Sequence, residues 1–597
     1  MRPGVPAPAD GGRAPATAVP ALAACLVILI AVVVPAVRYG TSPYVAGAST
    51  GPIGLSAAAI VGAIWIAALA LLAKRALHRV LEIDGPLTSR ATALVVASLS
   101  VLFAIGLDWG LPGPGWALDE MGADAVLAGW AHGFANGWSD QYPPLHYYIL
   151  MLVYAPVLVL ERVGLFAASW PAVKFLLLLL ARQLGLVMAI GTIGLMGVCG
   201  DRLLGRRHGW IVALSAGLFL PFVFYAKTAN LEAPYLFWTA LALVFMAEAG
   251  ANGRRRSWIG AGASAAVAVA TKDHAYGVFV LPFVALAWAH LRASRSLAPI
   301  GAGVAAAIAA FALAHNMLFN FRGFEAHVEM VTGPASQPFR MFDYSVAGQL
   351  GLATMSAQAL LWMFGGAGAI ALACGIVAMA SPTAPRLPVW LLLAPLSCYL
   401  TFLVPVGYVY DRFLLPVTLA CSPIAAVGIR RLLDGWPVRG IGRACGIGLL
   451  IVLGWRAASV DALMLRDSRY AAEAWLQTHA SPGSVIATPS RSVYLPRIPG
   501  DYQRLDETVD ATLELGPDLI VLNLEPMRRE APDSRSRLWL KWLETGVGPY
   551  EEVFRYKAPL GPSALRFGRR FRDGVEDPLT NLDKINPEIA VFQRRGG

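Results

Sequence analysis

Apolar residues in this chain come in long uninterrupted runs, and that spacing constrains the fold more than any other feature. A helix needs about 20 apolar residues to cross the hydrocarbon layer of a bilayer, and runs of that order recur from Val19 to Ala457. Charged residues make up only 14% of the chain, against about a quarter in ordinary soluble domains. A water-soluble fold is therefore excluded. Lipid cannot satisfy open backbone N–H and C=O groups, so these runs must be helices.

Candidate spans are 19–37, 55–73, 91–107, 143–160, 163–181, 183–200, 209–225, 231–249, 257–271, 276–291, 297–316, 350–379, 388–406, 412–429 and 441–457. The stretch 143–200 reads either as two long helices or as three short ones interrupted by Pro171, Lys174 and Arg182. Charge selects three. With a cytoplasmic N-terminus, three spans place Lys74/Arg75/Arg79, Arg202/Arg206/Arg207, Arg254/Arg255/Arg256, Arg292/Arg295 and Arg430/Arg431/Arg439/Arg443 together on the cytoplasmic side, whereas two would scatter them. The same parity exports the loop 108–142, the turns 227–232 and 272–274, the loop 320–349 and the tail after Ser459.

The net charge of +10 does not point to nucleic acid, because the basic residues sit in short clusters between apolar runs. Cys25, Cys199, Cys374, Cys398, Cys421 and Cys445 all lie inside such runs with no CxxC spacing, so neither a disulfide framework nor a zinc site is expected. Residues 1–18 are rich in Pro, Ala and Gly and read as a disordered tail. From 458 onward charged residues become frequent, SVIAT (484–488) and DLIVLN (518–523) read as short buried strands, and AAEAWLQ (471–477) reads as a helix. The expected organisation is a tail (1–18), an all-α polytopic membrane domain of about 13–15 helices (19–457) and a soluble extracytoplasmic α/β domain (458–597).

The exported loop 108–142 carries Asp108, Asp119, Glu120, Asp124 and Asp140 with no Lys or Arg. An adjacent acidic pair can act as a general base or hold a divalent cation, since both tasks need ionised oxygens in fixed places. A loop from which positive charge is excluded is acidic for a duller reason. The segments YAKTANLEAPYLFW (225–238) and VATKDHAYGVFVLP (268–282) bring Lys227, Asn230, Glu232, Lys272 and His274 to helix ends on the same side. Charges at span ends often only anchor a helix, but their convergence on one face suits a substrate that pairs a nucleophile with an anionic leaving group such as a lipid phosphate.

At these residues the sequence resembles the membrane-embedded GT-C glycosyltransferases, particularly the branch of protein O-mannosyltransferases and the bacterial aminoarabinose transferases that modify lipid A. The matching pieces come in family order: Asp119/Glu120, YPPLHYY (142–148), ANLEAPYLFW (229–238), ATKDHAYGVFVLP (270–282), YDRFLLPV (410–417), SRYAAEAWLQTHASPGSVIAT (468–488) and YLPR (494–497). The resemblance implies transfer of a sugar from a polyprenyl- or dolichyl-phosphate donor to an acceptor hydroxyl outside the cytoplasm, with inversion at the anomeric carbon. It implies Asp119 as the base and Glu120 as its assistant. For the donor phosphate it implies Lys272 first, then Arg412, with Lys227 and Arg322 behind. Tyr142, His146, Asn230, Glu232 and His274 would line the pocket.

The chain departs from the pattern in having two extra spans before the acidic loop, Glu232 where an aspartate is usual, and Tyr142 where a lysine often precedes the PPL sequence. No cofactor is expected; a magnesium or manganese ion would find only two carboxylates in the acidic pair. The expected partners are the bilayer, a polyprenyl-phosphate-linked sugar and an acceptor that is a protein, a lipid or a glycan, with no nucleic acid. The C-terminal domain 458–597 is expected to help recognise that acceptor. The composition, rich in Arg, Ala and Gly, fits a bacterial inner membrane with the site facing the periplasm or exterior. The rival function is a transporter or flippase of lipid-linked saccharides, which would place ionisable groups near the bilayer midplane.

Overall fold

A computed structural model describes residues 18–39, 52–81, 89–113, 115–134, 142–205, 208–381, 387–489, 492–498, 503–505, 514–530, 532–559 and 579–596. The expected tail up to residue 17, and Asp140, Arg206 and Arg207, lie outside the described residues.

The apolar runs form helices α1 (Ala18–Tyr39), α2 (Leu55–Val80) and α3 (Arg90–Ala104), then α4 (Ala123–Ala131), α5 (Leu145–Arg162) and the 35-residue α6 (Trp170–Leu204). The short helices α7 (Gly209–Gly217) and α8 (Leu220–Tyr225) make one broken pass. They lead into α9 (Glu232–Asn252), α10 (Arg255–Val269), α11 (Val280–Ser294), α12 (Ala298–Ala314), α13 (Phe321–Thr332) and α14 (Val346–Met379). A further pass is built from α15 (Val389–Leu392), α16 (Ala394–Cys398) and α17 (Val404–Val406), and α18 (Leu415–Leu433) and α19 (Arg439–Leu465) close the bundle. Eight helical segments are long and apolar enough to cross a membrane.

Contacts along α6 fix the direction of its neighbours. Gly62 of α2 lies against Leu180, the Gln183 amide donates to the Ile28 carbonyl of α1 (3.3 Å), and Thr92 at the start of α3 lies against Gly197. Followed this way, α1, α2, α3, α6, α7–α8, α9, α10, α11, α12, α14, α15–α17, α18 and α19 give thirteen passes among the described residues. The backbones of α14 and α18 approach closely: a Cβ on Gly375 or Gly428 would collide with the facing carbonyl of Ile424 or Ala371. Small residues permit this where lipid offers no hydrophobic drive for association.

The fifteen-span reading is corrected at 143–200. Pro171 does not interrupt a helix there; it begins α6, in the first turn where its missing N–H costs nothing. Lys174 and Arg182 do not break α6 either, because their charges are met by Asp124 and Glu120. Helix α5 does not carry the chain across. Tyr142, before it, lies over Lys272, and the carbonyl of Leu165, after it, accepts from the Ile53 N–H at the head of α2. One juxtamembrane helix and one long pass thus replace three spans. The parity is odd in both cases, so Lys74, Arg75, Arg79, Arg202, Arg254, Arg255, Arg256, Arg292, Arg295, Arg430, Arg431, Arg439 and Arg443 share one end of the bundle. The turns before α9, after α10 and before α18 share the other.

Past α19, helix α20 (Ser468–His479) and strands β1 (Val485–Ala487), β2 (Gln503–Leu505) and β3 (Leu519–Asn523) precede α21 (Leu524–Arg529), α22 (Arg535–Thr545), β4 (Tyr550–Tyr556) and β5 (Ile589–Arg594). The sheet runs β2-β1-β3-β5-β4, parallel between β2, β1 and β3 and antiparallel from β3 through β5 to β4. Side chains alternate along β3. Leu519 and Val521 pack against Ala472 and Leu476 of α20, and Ile520 and Leu522 pack against Trp539, Leu540 and Leu543 of α22. The segment around Leu582 and Ile585 leaves this unit and joins the hydrophobic core of the helical bundle.

Candidate active site

The loop after α3 is pinned on either side of Asp119. The Leu118 carbonyl accepts from the Asn230 side chain (2.7 Å), the Ala229 N–H donates to Glu120 Oε1 (2.8 Å), and the Met121 N–H donates to the Ala229 carbonyl (3.1 Å). Glu120 also receives a two-pronged contact from the Arg182 guanidinium, Nε to Oε1 and Nη2 to Oε2, both 2.7 Å. The remaining Arg182 donor, Nη1, serves the carbonyls of Leu107 and Trp109 (2.8 and 2.7 Å). Gly115 passes so close that a Cβ there would meet Glu120 Oε2 at 2.7 Å. Asp119 itself adopts a φ of 62°, a left-handed conformation that Asp tolerates better than most residues.

Asp119 faces away from that clamp toward a cluster of charges. The Arg412 guanidinium donates to Asp119 Oδ2 (2.8 Å) and lies 3.9 Å from Glu232 Oε1. Lys272 donates to the same Glu232 oxygen, and its ammonium sits 5.9 Å from the centre of the Tyr142 ring. The Arg412 side chain rests on the Tyr410 ring at 4.3 Å, and its carbonyl accepts from the Tyr235 hydroxyl (3.1 Å). His274 is boxed by the rings of Tyr235, Phe402 and Phe413. Burial alone would raise the Asp119 carboxyl, but Arg412, with Lys272 and Lys584 behind it, outweighs burial and holds it below the usual carboxylate range. Burial, reinforced by Asp119 and Glu232, raises the Tyr142 hydroxyl, so it stays protonated.

The structure thus brings together Asp119, Arg412, Lys272, Glu232, Tyr142 and His274 from five separate segments. It gives other expected site residues different tasks. Glu120 has its oxygens occupied by Arg182 and Ala229, so it positions the loop. Asn230 does the same through Leu118. Lys227 is fully buried, pairs with Asp461 of α19 (2.6 Å) and donates to the Leu102 carbonyl (2.5 Å). His146 is buried in the first turn of α5 and makes no hydrogen bond to the cluster among the described residues. Arg322 is exposed on α13 and makes no ion pair among the described residues. Lys174 and Arg182, the basic residues within the 143–200 run, pair with Asp124 and Glu120 of the acidic loop that carries Asp119.

Lys227 offers a direct check of its reassignment. Removing one partner of a buried ion pair leaves the other unsatisfied, so Lys227→Met is expected to lower the melting temperature while leaving the donor KM within about twofold. A large rise in KM in a normally stable variant would restore the expectation that Lys227 meets the donor phosphate.

Sequence reading missed Arg182, taken for a helix interruption, and Lys584, Asn581 and Asp461, which carry no local signal. Asn581 Oδ1 accepts from the Tyr410 hydroxyl (2.5 Å) and from the Lys584 ammonium (2.6 Å), while its amide donates to the Tyr225 hydroxyl (3.1 Å). No group of three His, Cys, Asp or Glu able to hold a metal occurs among the described residues. The acidic pair cannot offer one ion both carboxylates, because Glu120 is turned into the Arg182 clamp while Asp119 faces Arg412.

No family model and no curated protein matches the chain. Among solved structures it is similar to ArnT from Cupriavidus metallidurans bound to undecaprenyl phosphate, at 15% identity over 74% of this chain and 94% of that one, with a TM-score of 0.42. It is similar to the Archaeoglobus fulgidus oligosaccharyltransferase in complex with Zn and sulfate, at 12% identity over 72% of this chain and 68% of that one, with a TM-score of 0.38. It is also similar to the arabinofuranosyltransferase AftD from Mycobacteria, at 14% identity over 86% of this chain but 42% of that one, with a TM-score of 0.37.

Proposed function

We propose that this protein transfers a glycosyl group from a polyprenyl or dolichyl phosphate carrier to an acceptor hydroxyl, with Asp119 as general base. The observation that carries the reading is a part-exposed carboxylate held 2.8 Å from Arg412, beside Lys272, at one end of a membrane bundle. In the step proposed, the acceptor oxygen attacks the anomeric carbon on the face opposite the phosphate, which inverts that centre. As the new C–O bond forms, the acceptor proton passes to Asp119 and the bond from the anomeric carbon to the phosphate oxygen breaks. Negative charge builds on the leaving lipid phosphate, where Arg412 and Lys272 can stabilise it.

The basic clusters at the far end support an orientation in which that end is cytoplasmic and the site faces the periplasm or exterior. Tyr142 stands where relatives of the resembled branch often carry lysine, so the donor sugar is left to pocket shape rather than to that contact. The test is release of free polyprenyl phosphate from a panel of polyprenyl-phosphate sugars by the purified protein in lipid nanodiscs, with a membrane extract as the source of acceptors. Release from one donor supports the reading and names the sugar; silence with every donor sinks it.

A pH prediction follows from the charges around Asp119. The rate should be full above its carboxyl pKa and fall as pH drops through it, and that pKa is depressed, so the acid limb should lie below the usual carboxylate range. Arg412→Gln removes the first of the groups that lower it and leaves burial, which raises it. The acid limb is therefore expected to move to higher pH in this variant. An unmoved limb with a merely lower plateau would detach Arg412 from the ionisation of Asp119.

A further inference from the structure

We infer that Lys584, contributed by the C-terminal segment, is a donor-binding residue that contacts the lipid phosphate. The inference rests on the functional reading above and adds to it a residue far from every recognised motif.

The first observation is that the segment 579–586 is built into the membrane domain rather than lying on it. The Leu579 N–H donates to the Val409 carbonyl (3.2 Å) and its carbonyl accepts from the Asp411 N–H (2.9 Å), a short parallel bridge one residue from Arg412. Leu582 and Ile585 are buried in the core of the bundle, and between them lies the single turn Leu582–Lys584. On the other side, the Lys584 carbonyl accepts from Arg469 (3.1 Å) and the Asn586 N–H donates to Asp467 (2.9 Å), so the turn is held from the soluble side as well. A turn gripped on both sides is a wall of the site.

The second observation is where that wall aims its ammonium group. Lys584 Nζ donates to Asn581 Oδ1 (2.6 Å), Asn581 accepts from the Tyr410 hydroxyl (2.5 Å), and the Tyr410 ring carries Arg412 at 4.3 Å, which in turn holds Asp119 at 2.8 Å. The electrostatic effect of Lys584 on Asp119 agrees with this placement. Within the cluster Arg412 already faces Asp119 and Lys272 already faces Glu232. A phosphate bearing up to two negative charges is better met by a third cation. Lysine suits the task because its ammonium is a compact charge on a flexible stem, able to move from an amide oxygen to a phosphate oxygen. Lys584 is partly exposed, unlike the buried Lys227 that sequence reading had placed in this role.

The test is direct binding of undecaprenyl phosphate to the full-length protein in nanodiscs, with inorganic phosphate as a parallel probe and exposed Lys541→Gln of α22 as control. Lys584→Gln is expected to weaken binding of the lipid phosphate about 10-fold, which corresponds to one charge-assisted contact. Lys584→Arg should restore it to within about threefold, and so guards against a fold defect in the glutamine variant. Equal affinity in wild type and Lys584→Gln would overturn the inference and leave the functional reading standing. Inorganic phosphate binding with the same dependence on Lys584 would assign the site to a free anion and overturn the lipid assignment. A wild type that binds no lipid phosphate would overturn the functional reading, and this inference with it.

Discussion

Asp119→Asn is expected to lower single-turnover release of polyprenyl phosphate by about 10³-fold, within the range for removal of a positioned general base. The substitution is close to isosteric. Its side-chain oxygen can still accept from Arg412, and Asn tolerates the left-handed φ of 62° at this position at least as well as Asp. The melting temperature should therefore change little, and binding of undecaprenyl phosphate should be kept or improved, because the variant removes a negative charge beside the phosphate. A folded variant that releases lipid phosphate at the wild-type rate would retain the reaction class and discard Asp119 as its base.

The largest loss of stability is expected at the clamp that aims Asp119. Arg182 is fully buried and its guanidinium satisfies four acceptors: two Glu120 oxygens and the carbonyls of Leu107 and Trp109. Arg182→Met strands the Glu120 carboxylate, and breaking a buried pair on one side costs about 3–5 kcal/mol. Glu120→Met strands the guanidinium instead. Combining the two removes both charges together, so the double variant should regain a large part of the stability lost by either single one. Activity should not return with it, since the Ala229 N–H also loses its acceptor and the loop that sets Asp119 is released. Thermal unfolding of the four proteins in one detergent, alongside donor turnover, separates these effects. Additive losses in the double variant would mean that Arg182 acts mainly on the two carbonyls, and recovery of activity would show that Asp119 needs no clamp.

The charge at residue 182 illustrates how the sequence misleads. In an apolar run an arginine reads as a break, because an unpaired guanidinium in lipid is expensive. The penalty vanishes when a carboxylate 62 positions away lies within reach, and no local pattern carries that information. Lys227 fails in the opposite direction. Its place at a helix end beside Asn230 and Glu232 looks like substrate binding, yet Asp461, in a helix that starts more than two hundred residues later, takes its charge. Lys584 and Asn581 had no signal at all. They lie in an ordinary polar stretch, and only the return of that stretch to Val409 and Asp411 makes them part of the site.

What the sequence determined by itself is what depends on one segment at a time. Apolar length dictates helices in lipid, clustered arginines orient their ends, and the unbroken apolar run within DLIVLN predicts a short buried strand, as β3 is. Asp119, Lys272 and Arg412 stood out as candidates because they fall in the ordered motifs that carry the family resemblance: the acidic pair, ATKDHAYGVFVLP and YDRFLLPV. The tertiary structure alone decided which charges neutralise one another, because ion pairing acts through distances of a few ångströms that bear no relation to separation along the chain. Glu120, Lys227 and Asn230 thereby became parts of the scaffold, and Lys584 became part of the site.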